Sequence, residues 1–302
     1  MSKTILVTGG AGNIGSALSS FLVKKGHKVV VADNLSTGKI DNLNGILLDE
    51  FCEINANNKE ELRLVFKKHS FTHVFHLAAV VGVMRTLENP LNVFEDIKGI
   101  ENVLELCKEN RIKRVFYASS SEVYGEPFEI PQNEETTPLN SKLPYAIVKN
   151  LGEAYCRAYH KEYGLDYTIF RFFNTYGPNQ STDFVIPRFV KNALQDRDII
   201  LNGNGLQTRT FCHINDNIET CYLAMLNKEM KNVVLNVGSA NEITILELAE
   251  TIKKLAKSNS KIVHAPALEE GDMTRRKPDN SKMIELLKRD LIPLKNGINE
   301  II

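Results

Sequence analysis

The sequence has no excess of either charge, no paired cysteines and no long apolar run. Lys and Arg together number 37, as do Asp and Glu, so the formal net charge is zero. A balanced chain lacks the basic surface that attracts nucleic acid or anionic membranes. The five cysteines form no CxxC pair, which argues against a zinc site or a disulfide framework and is typical of a reducing compartment. No stretch is long enough to span a bilayer. From these features together we expect a cytoplasmic protein without metal, nucleic-acid or membrane partners.

Short apolar segments alternate with segments of helical spacing in the first half of the chain. The N-terminal apolar run is too short for a signal-peptide core, so it predicts a first strand. Helices are expected after it and at about residues 92–110 and 145–163. Such alternation predicts an α/β protein with a Rossmann-type doubly wound parallel sheet and helices on both faces. After Phe173 the pattern loosens, and a smaller α/β C-terminal lobe is expected. The predicted strands are KTILVTG, KVVVAD, THVFHLAA, KRVFYASS and DYTIFRF.

The first predicted strand runs into the glycine-rich stretch TGGAGNIG. Gly10, Gly12 and Gly15 form GxGxxG, and Gly9 with the last two forms GxxGxxG. Glycines let backbone amides approach a pyrophosphate, and the N-terminus of the following helix favours its charge. The motif is weak alone, because glycine-rich turns follow strands in many folds, but its place between a strand and a helix strengthens it.

Asp33 ends the second predicted strand, where a carboxylate would face the ribose of a dinucleotide. Such a carboxylate accepts hydrogen bonds from a ribose 2′-OH and repels a 2′-phosphate. The only nearby cation is Lys39. We therefore predict NAD rather than NADP, and the alternative is a turn of glycines with a simple strand-end cap.

Tyr145 and Lys149 lie four residues apart in a helical stretch, hence on one face. An ammonium near a phenol stabilises the phenolate and lowers its pKa toward the working pH. Such a tyrosine can take a proton from an alcohol while hydride leaves the same carbon. Of the nine tyrosines, Tyr145 alone has Lys four residues on, and it follows a strand whose carboxyl end carries SSSE. The carboxyl ends of such strands are where α/β sheets bind ligands.

The motifs resemble, in order and along essentially the whole chain, those of extended short-chain dehydrogenases/reductases acting on nucleotide sugars. The resemblance implies NAD-dependent oxidation at C4 of a nucleoside diphosphate sugar, a role in polysaccharide biosynthesis, and a homodimer formed through a four-helix bundle. We expect residues 1–172 to form the NAD-binding domain. Residues 173–302 would form mainly the nucleotide-sugar-binding lobe, with some segments returning to the first domain. The matching motifs are TGGAGNIG, DNLSTG, HLAA, ASSSEVYG, PYAIVK, RFFNTYGP, QTRTF and RRKPD.

The resemblance also implies individual residue roles. Ser120 matches the catalytic Ser/Thr, Tyr145 the acid/base and Lys149 its partner, with Glu122 as a further catalytic candidate. The residues expected to bind NAD are Gly9, Gly12, Asn13, Ile14, Gly15, Asp33, Asn34, Ser36, Thr37, Gly38, Leu77, Ala78, Ala79, Tyr145 and Lys149. The residues expected to bind the substrate are Arg85, Ser121, Asn174, Arg209 and Arg276.

The fate of the 4-keto sugar distinguishes the members of this family, and Glu122 is the residue that bears on it. Epimerases return hydride to the other face, and a net dehydrogenase releases the 4-keto sugar. The 4,6-dehydratases carry Asp where this chain has Ser121, so dehydration lacks its acid. UDP-glucuronate decarboxylases carry Thr-Ser-Glu at this stretch and an Arg before Lys-Pro near the C-terminus. Ser121 and Glu122 are similar to the first motif, and Arg276 is similar to the second. We expect a 4-epimerase or 4-dehydrogenase, with a decarboxylase as the alternative. For Glu122 itself, the structural alternative is a carboxylate that only accepts hydrogen bonds from backbone amides.

Asp96 departs from the family pattern, which commonly has Asn in this stretch to support the catalytic lysine. Asp96 could serve the same support or change the local charge. A hypothesis from another class is a non-catalytic NAD-binding regulatory protein, and the intact Ser120, Tyr145 and Lys149 argue against it.

Overall fold

The computed structural model describes residues 2–81, 90–266 and 275–302. The chain divides into two compact units, and each contains segments that are distant in sequence. The first unit consists of Met1–Val123, Lys142–Arg171 and Ile218–Leu235, and the second of Tyr124–Ser141, Phe172–Asn217 and Asn236–Ile302.

A seven-stranded sheet has the order β3-β2-β1-β4-β5-β6-β11. Neighbours from β3 to β5 pair in parallel, an arrangement that requires crossover connections between the strands. Ile5, Leu6 and Val7 on β1, an interior strand, are all fully buried, so both faces of the sheet are covered. The predicted Rossmann-type α/β fold is thereby confirmed. Its strands are β1 (Thr4–Thr8), β2 (Lys28–Asp33), β3 (Glu50–Glu53), β4 (His73–His76), β5 (Arg114–Ser120), β6 (Asp166–Phe172) and β11 (Val233–Val237).

The helices follow the predicted positions, with one interruption. A single helix was expected at about 92–110, but the structure has two, separated at Glu95. The Glu95 amide donates to the Asn92 carbonyl, a bond that closes a tight turn and ends the first helix. No helix in the described ranges is long and apolar enough to cross a membrane. The helices are α1 (Asn13–Lys24), α2 (Lys59–Lys68), α3 (Pro90–Phe94), α4 (Asp96–Glu109), α5 (Pro144–Tyr163), α6 (Val185–Leu194), α7 (Ile214–Leu226), α8 (Ile245–Leu255), α9 (Ser281–Leu287) and α10 (Leu294–Asn299).

The second unit has its own core, in which α6 and α8 pack with apolar residues such as Phe189, Leu201 and Ile252. Its strands form small two-stranded sheets, β7 with β10, β9 with β12 and β8 with β13. Helix α8 begins with a capping box between Thr244 and Glu247, which satisfies backbone amides at its N-terminus. These strands are β7 (Thr175–Tyr176), β8 (Ile199–Asn202), β9 (Thr208–Thr210), β10 (Cys212–His213), β12 (Glu242–Thr244) and β13 (Ile262–Ala265).

Candidate active site

The glycine-rich turn lies between β1 and α1, as predicted. Gly9 has a φ of +70°, and a Cβ at Gly15 would lie 2.1 Å from the Gly9 carbonyl oxygen, so both positions require glycine. Gly12 is the N-cap of α1, no side chain caps it, and the first turn of the helix holds no acid. The amides at this helix start are thus available to an anion, and their arrangement fits the pyrophosphate of a dinucleotide.

Asp33 is buried at the carboxyl end of β2, beside the glycine-rich turn. Its Oδ2 accepts a hydrogen bond of 2.9 Å from the Ala11 amide, and its Oδ1 accepts one of 2.8 Å from the Leu35 amide. A carboxylate has about four acceptor sites, so it retains capacity for a ribose hydroxyl. A Cβ at Gly38 would lie 3.0 Å from Asp33 Oδ1, which explains the glycine there. The carboxylate is therefore fixed where the sequence predicts the ribose contact.

Ser120 is the last residue of β5, and its side chain is held by the turn that follows. The Glu122 amide donates to Ser120 Oγ at 3.2 Å. This bond uses an acceptor site of the hydroxyl and leaves its proton available to donate to another oxygen. Ser121 is buried in the same turn, whereas Glu122 is partly exposed. The backbone of Glu122 thus orients Ser120, whatever its carboxylate does.

Tyr145 and Lys149 lie on one face of α5, as their spacing predicts. Lys149 is buried, and its Nζ donates a hydrogen bond of 2.8 Å to the Ala118 carbonyl on β5. The Lys149 Nζ lies 5.7 Å from the centre of the Tyr145 ring. Burial lowers the pKa of Lys149 to about 8, although the charge of Asp96 opposes the shift. An ammonium this close to a phenol favours the phenolate. The ammonium therefore lies near the phenol, as the predicted acid/base role of Tyr145 requires, and that role stays a prediction.

His76 is the last residue of β4 and contacts the neighbouring strand β1. Its Nδ1 lies 2.7 Å from Thr8 Oγ1 on the neighbouring strand. Complete burial, with a smaller contribution from Lys149, lowers the pKa of His76 to about 3. The ring is therefore neutral and adds no charge beside the lysine.

A buried ion pair behind these residues was not predicted from the sequence. Glu153 lies one helical turn after Lys149 and is fully buried. Its Oε1 accepts hydrogen bonds from Ser119 Oγ at 2.7 Å and from Arg171 Nε at 2.8 Å. Its Oε2 accepts bonds from Arg171 and Arg157. The carboxylate therefore joins β5, α5 and β6 next to the residues at Ser120 and Lys149.

A pocket of about 160 Å³ within the second unit brings together two of the predicted substrate residues, Asn174 and Arg209. Arg209 is buried on β9, and its Nη1 donates a hydrogen bond of 2.7 Å to the Thr208 carbonyl. Asn174 Nδ2 donates a hydrogen bond of 3.1 Å to the Thr210 carbonyl, which is also on β9. The pocket therefore combines a cation with apolar walls, a composition suited to a nucleoside phosphate. Other lining residues include Val185, Arg188, Phe189, Gln207, Phe211 and Ile245.

Arg188 and Phe189 of this pocket were not recognised from the sequence. The stretch VIPRFVKNAL predicts only an amphipathic helix, and nothing in its spacing shows which residues line a pocket. Burial lowers the pKa of Arg188, with Asp183 opposing the shift, so the pocket holds a second partly desolvated cation.

The neighbouring arginines 275 and 276 have different surroundings in the second unit. Arg275 is exposed and pairs with Glu242 of β12 through contacts of 2.5 and 2.6 Å. Arg276 is 6% exposed. The backbone that follows Arg276 is anchored, because the Gln132 amide donates a hydrogen bond of 2.7 Å to the Lys277 carbonyl. Arg276 is thus a buried cation next to an anchored backbone, and its role as a substrate contact stays a prediction. Arg85 lies outside the described residues.

The parallel sheet, the glycine-rich turn and the carboxylate at the end of β2 define a Rossmann-type dinucleotide-binding protein. A family profile described as "NAD dependent epimerase/dehydratase family" matches residues 5–238, and the chain belongs to this family. This family is NAD-dependent, so the match confirms the predicted cofactor. It also confirms the predicted relationship to enzymes that act on nucleotide sugars.

Three comparisons describe its similarity to known proteins. The chain is 38% identical over 305 residues to the UDP-N-acetyl-alpha-D-glucosaminuronate decarboxylase of Bacillus cytotoxicus, covering 95% of this chain and 92% of that one. The UDP-glucose 4-epimerase of Thermotoga maritima, solved with UDP-glucose, has a TM-score of 0.93 and 31% identity, with coverage of 99% and 97%. The UDP-glucose 4-epimerase of Thermus thermophilus, solved with NAD, has a TM-score of 0.91 and 30% identity, with the same coverage. Both epimerases and a decarboxylase are thus similar over nearly the whole chain.

Proposed function

We propose that this enzyme uses NAD to oxidise C4 of a UDP-sugar to a 4-keto intermediate. The observation that carries the proposal is the Lys149 ammonium, held on the Ala118 carbonyl and 5.7 Å from the Tyr145 ring. In this reaction Tyr145 accepts the C4 hydroxyl proton, and Ser120 donates a hydrogen bond to the same oxygen. NAD supplies the hydride acceptor. Uridine is proposed as the base because the similar proteins named above act on or bind UDP-sugars.

The nucleotide part of the substrate is assigned to the second unit. Arg209 can bind a phosphate through its planar donor fork, and Asn174 lines the same pocket. Arg276 would contact the diphosphate or sugar, because it is a buried cation beside an anchored backbone. Ser121 is proposed as a sugar contact because it adjoins Ser120.

The first proposed fate of the 4-keto sugar is epimerisation, or its release as a 4-keto product. Epimerisation needs no catalytic group beyond Ser120, Tyr145 and Lys149, since the keto sugar turns over and the same hydride returns. In that case Glu122 serves through its amide bond to Ser120. Release would instead leave NADH on the protein, and a second oxidant would be needed.

The second proposed fate is decarboxylation of a UDP-uronate. Two observations favour it, the sequence Ser121-Glu122 after β5 and the 38% identity to a uronate decarboxylase. Oxidation at C4 of a uronate gives a β-keto acid, which loses carbon dioxide readily, and the enzyme must then protonate C5. Glu122 lies in the turn beside Ser120, so it is the candidate donor.

A homodimer is proposed from the outer face of α5. Ile147 and Leu151 lie one turn apart and are both exposed there, although each is large and apolar. A second copy of this helix would cover them, as in helix bundles. Light scattering with size-exclusion chromatography tests this, and a monomer at all concentrations would contradict it. Cytoplasmic location and a place in polysaccharide biosynthesis accompany the proposal as expectations of the family.

The test is incubation of the purified protein with UDP-glucose, UDP-glucuronate and UDP-N-acetylglucosaminuronate, followed by product NMR and nicotinamide absorbance. An inverted C4 without net NADH would identify a 4-epimerase, and a 4-keto product with bound NADH a dehydrogenase. Carbon dioxide and a pentose nucleotide would identify the decarboxylase. Tyr145→Phe should keep NAD binding and lose turnover, with Tyr163→Phe on the same helix as the control. NAD binding without turnover of any nucleotide sugar would contradict the proposal.

A further inference from the structure

Tyr117 is a buried tyrosine on β5, three residues before Ser120. It pairs in register with His76 of the neighbouring strand β4, and the two rings stack with their centroids 6.0 Å apart. The Tyr117 hydroxyl oxygen is buried and has no hydrogen-bond partner among the described residues. A buried hydroxyl without a partner costs free energy, so what this side chain contributes must come from its ring.

Helix α5 leaves space for this ring at Gly152. A Cβ at Gly152 would lie 2.2 Å from the Tyr117 hydroxyl oxygen and 2.3 Å from its Cζ. Any larger residue would therefore displace the ring. Glycine inside a helix is less favourable than alanine, so the chain has a weaker helix here and a close contact between α5 and the Tyr117 ring.

Lys149 lies one helical turn before Gly152 and contacts the same ring. Its Nζ lies over the face of Tyr117, 5.3 Å from the ring centroid, and donates to the carbonyl of the next residue, Ala118. An ammonium within about 6 Å of a ring centroid is attracted by the quadrupole of the ring, and more strongly when both are removed from water. Two successive residues of β5 thus hold the buried ammonium, one through its ring and one through its carbonyl.

We propose that Tyr117 is a positioning residue, whose ring lies against Gly152 and holds the Lys149 ammonium beside Tyr145 by a cation–π contact. The inference rests on the proposed oxidation only in giving Tyr145 and Lys149 their catalytic roles. It assigns a function to a buried aromatic ring and to a glycine in the middle of α5.

The titratable groups around Lys149 come from α4, α5, β4 and β5. Burial lowers the pKa of Lys149 to about 8, and the charge of Asp96 on α4 opposes that shift. Burial also lowers the pKa of His76 to about 3 and raises that of Tyr117 far above its ordinary value, so both rings are neutral. Tyr145 is the remaining group, on the same helix as Lys149. The Tyr117 ring favours the charged form of Lys149, so its loss should let the lysine lose its proton at a lower pH.

Four changes separate the ring from the hydroxyl and from general packing. Tyr117→Phe keeps the ring, and Tyr117→Leu removes it. Incorporation of 3,4,5-trifluorophenylalanine at position 117 keeps the shape of the ring while its fluorines weaken the quadrupole. Tyr167→Leu is the matched control, because Tyr167 is a buried tyrosine on the neighbouring strand β6 in the same apolar core.

The decisive readout is the titration of Lys149 in the NAD-bound enzyme, followed by NMR of lysine carbon-13 labelled at Cε and assigned with Lys149→Met. Tyr117→Leu should lower the Lys149 pKa by about half a unit to one unit, and Tyr117→Phe should leave it unchanged. The trifluorinated ring should lower it relative to Tyr117→Phe. The alkaline limb of kcat should move to lower pH in the same variants. Tyr167→Leu should lower the unfolding temperature without shifting the Lys149 pKa.

Gly152→Ala tests the contact from the helix side. The added Cβ should displace the ring and lower the Lys149 pKa, and it should have no such effect when Tyr117 is already leucine. An equal effect of Gly152→Ala in both backgrounds would show that the glycine does not act through the ring.

An unchanged or raised Lys149 pKa in Tyr117→Leu would overturn the proposal, as would an equal fall in Tyr167→Leu. Should Tyr117→Leu fail to fold, the comparison of phenylalanine with its trifluorinated form decides, and equal pKa values in the two would overturn the proposal. Because the titration needs no sugar, failure of the proposed oxidation and failure of the Tyr117 assignment are distinguishable.

Discussion

The fully buried carboxylate of Glu153 is held by Arg171 through hydrogen bonds of 2.8 Å from Nε and 2.7 Å from Nη2. Arg171 is only 2% exposed, so solvent screens neither partner. The pair fixes α5 to β6, and the bond from Ser119 extends the connection to β5. Residues that carry no predicted catalytic role thus hold the strand end of Ser120 and the helix of Lys149 together.

Removal of Glu153 should destabilise the protein strongly, because it leaves the Arg171 guanidinium buried without a counter-charge. We expect Glu153→Ala to lower the free energy of unfolding by about 3–5 kcal/mol. Arg157→Gln is the control, since Arg157 is partly exposed and bonds the same carboxylate, and it should cost at most about 1 kcal/mol. Urea unfolding followed by circular dichroism measures both. A Glu153→Ala loss no larger than that of the control would contradict this account.

Acid should weaken the protein partly through the same residue. Burial alone would raise the pKa of Glu153. The hydrogen bond and charge of Arg171, together with the Ser119 hydrogen bond and the Arg157 charge, outweigh burial, so the folded-state pKa lies below its ordinary value. A depressed pKa means that the stabilisation is present above the unfolded-state pKa and is lost as pH falls through the folded-state value. Unfolding free energy, measured from neutral pH to below about pH 4, should fall less steeply in Glu153→Gln than in the natural protein. Identical acid slopes would argue against the ion pair.

Asp33 should set the preference for NAD over NADP. Asp33→Asn removes the charge that repels a 2′-phosphate. It also replaces one of the two oxygens that accept hydrogen bonds from backbone amides. The substitution should therefore weaken NAD binding and reduce discrimination against NADP by about tenfold. Calorimetric titration with both cofactors measures this. Asp41→Asn, at an exposed carboxylate nearby in sequence, is expected to change neither affinity. Unaltered discrimination in Asp33→Asn would place the ribose contact elsewhere.

Arg209 should bind the nucleotide rather than act in the chemical step. Loss of a charge-assisted bond to phosphate costs about 1.5–3 kcal/mol, so Arg209→Gln should raise KM for the nucleotide sugar by about tenfold to a hundredfold with a smaller change in kcat. Arg197→Gln is an exposed control within the second unit. Steady-state kinetics on the identified UDP-sugar gives both constants. A fall in kcat at constant KM would show that the phosphate assignment is wrong.

Local patterns in the sequence were sufficient for the sheet, the glycine-rich turn and the spacing of Tyr145 and Lys149, because each depends on residues close in the chain. The Glu153–Arg171 pair joins a helix to a strand 18 residues further on, and no periodicity reveals it. The break at Glu95 depends on a turn bond that helical spacing alone does not reveal. Arg188 lines a pocket that exists only after α6 packs in the second unit. The catalytic and substrate roles stay predictions until they are measured.

The central claim is hydride transfer from C4 to NAD, and substrate deuterated at C4 tests it most directly. The account predicts a primary isotope effect on formation of reduced nicotinamide and transfer of the deuterium to the cofactor. It also predicts the deuterium at C4 of the product again if the hydride returns. A product formed without an isotope effect and without transient NADH, or with its C4 deuterium exchanged for solvent hydrogen, would contradict oxidation at C4.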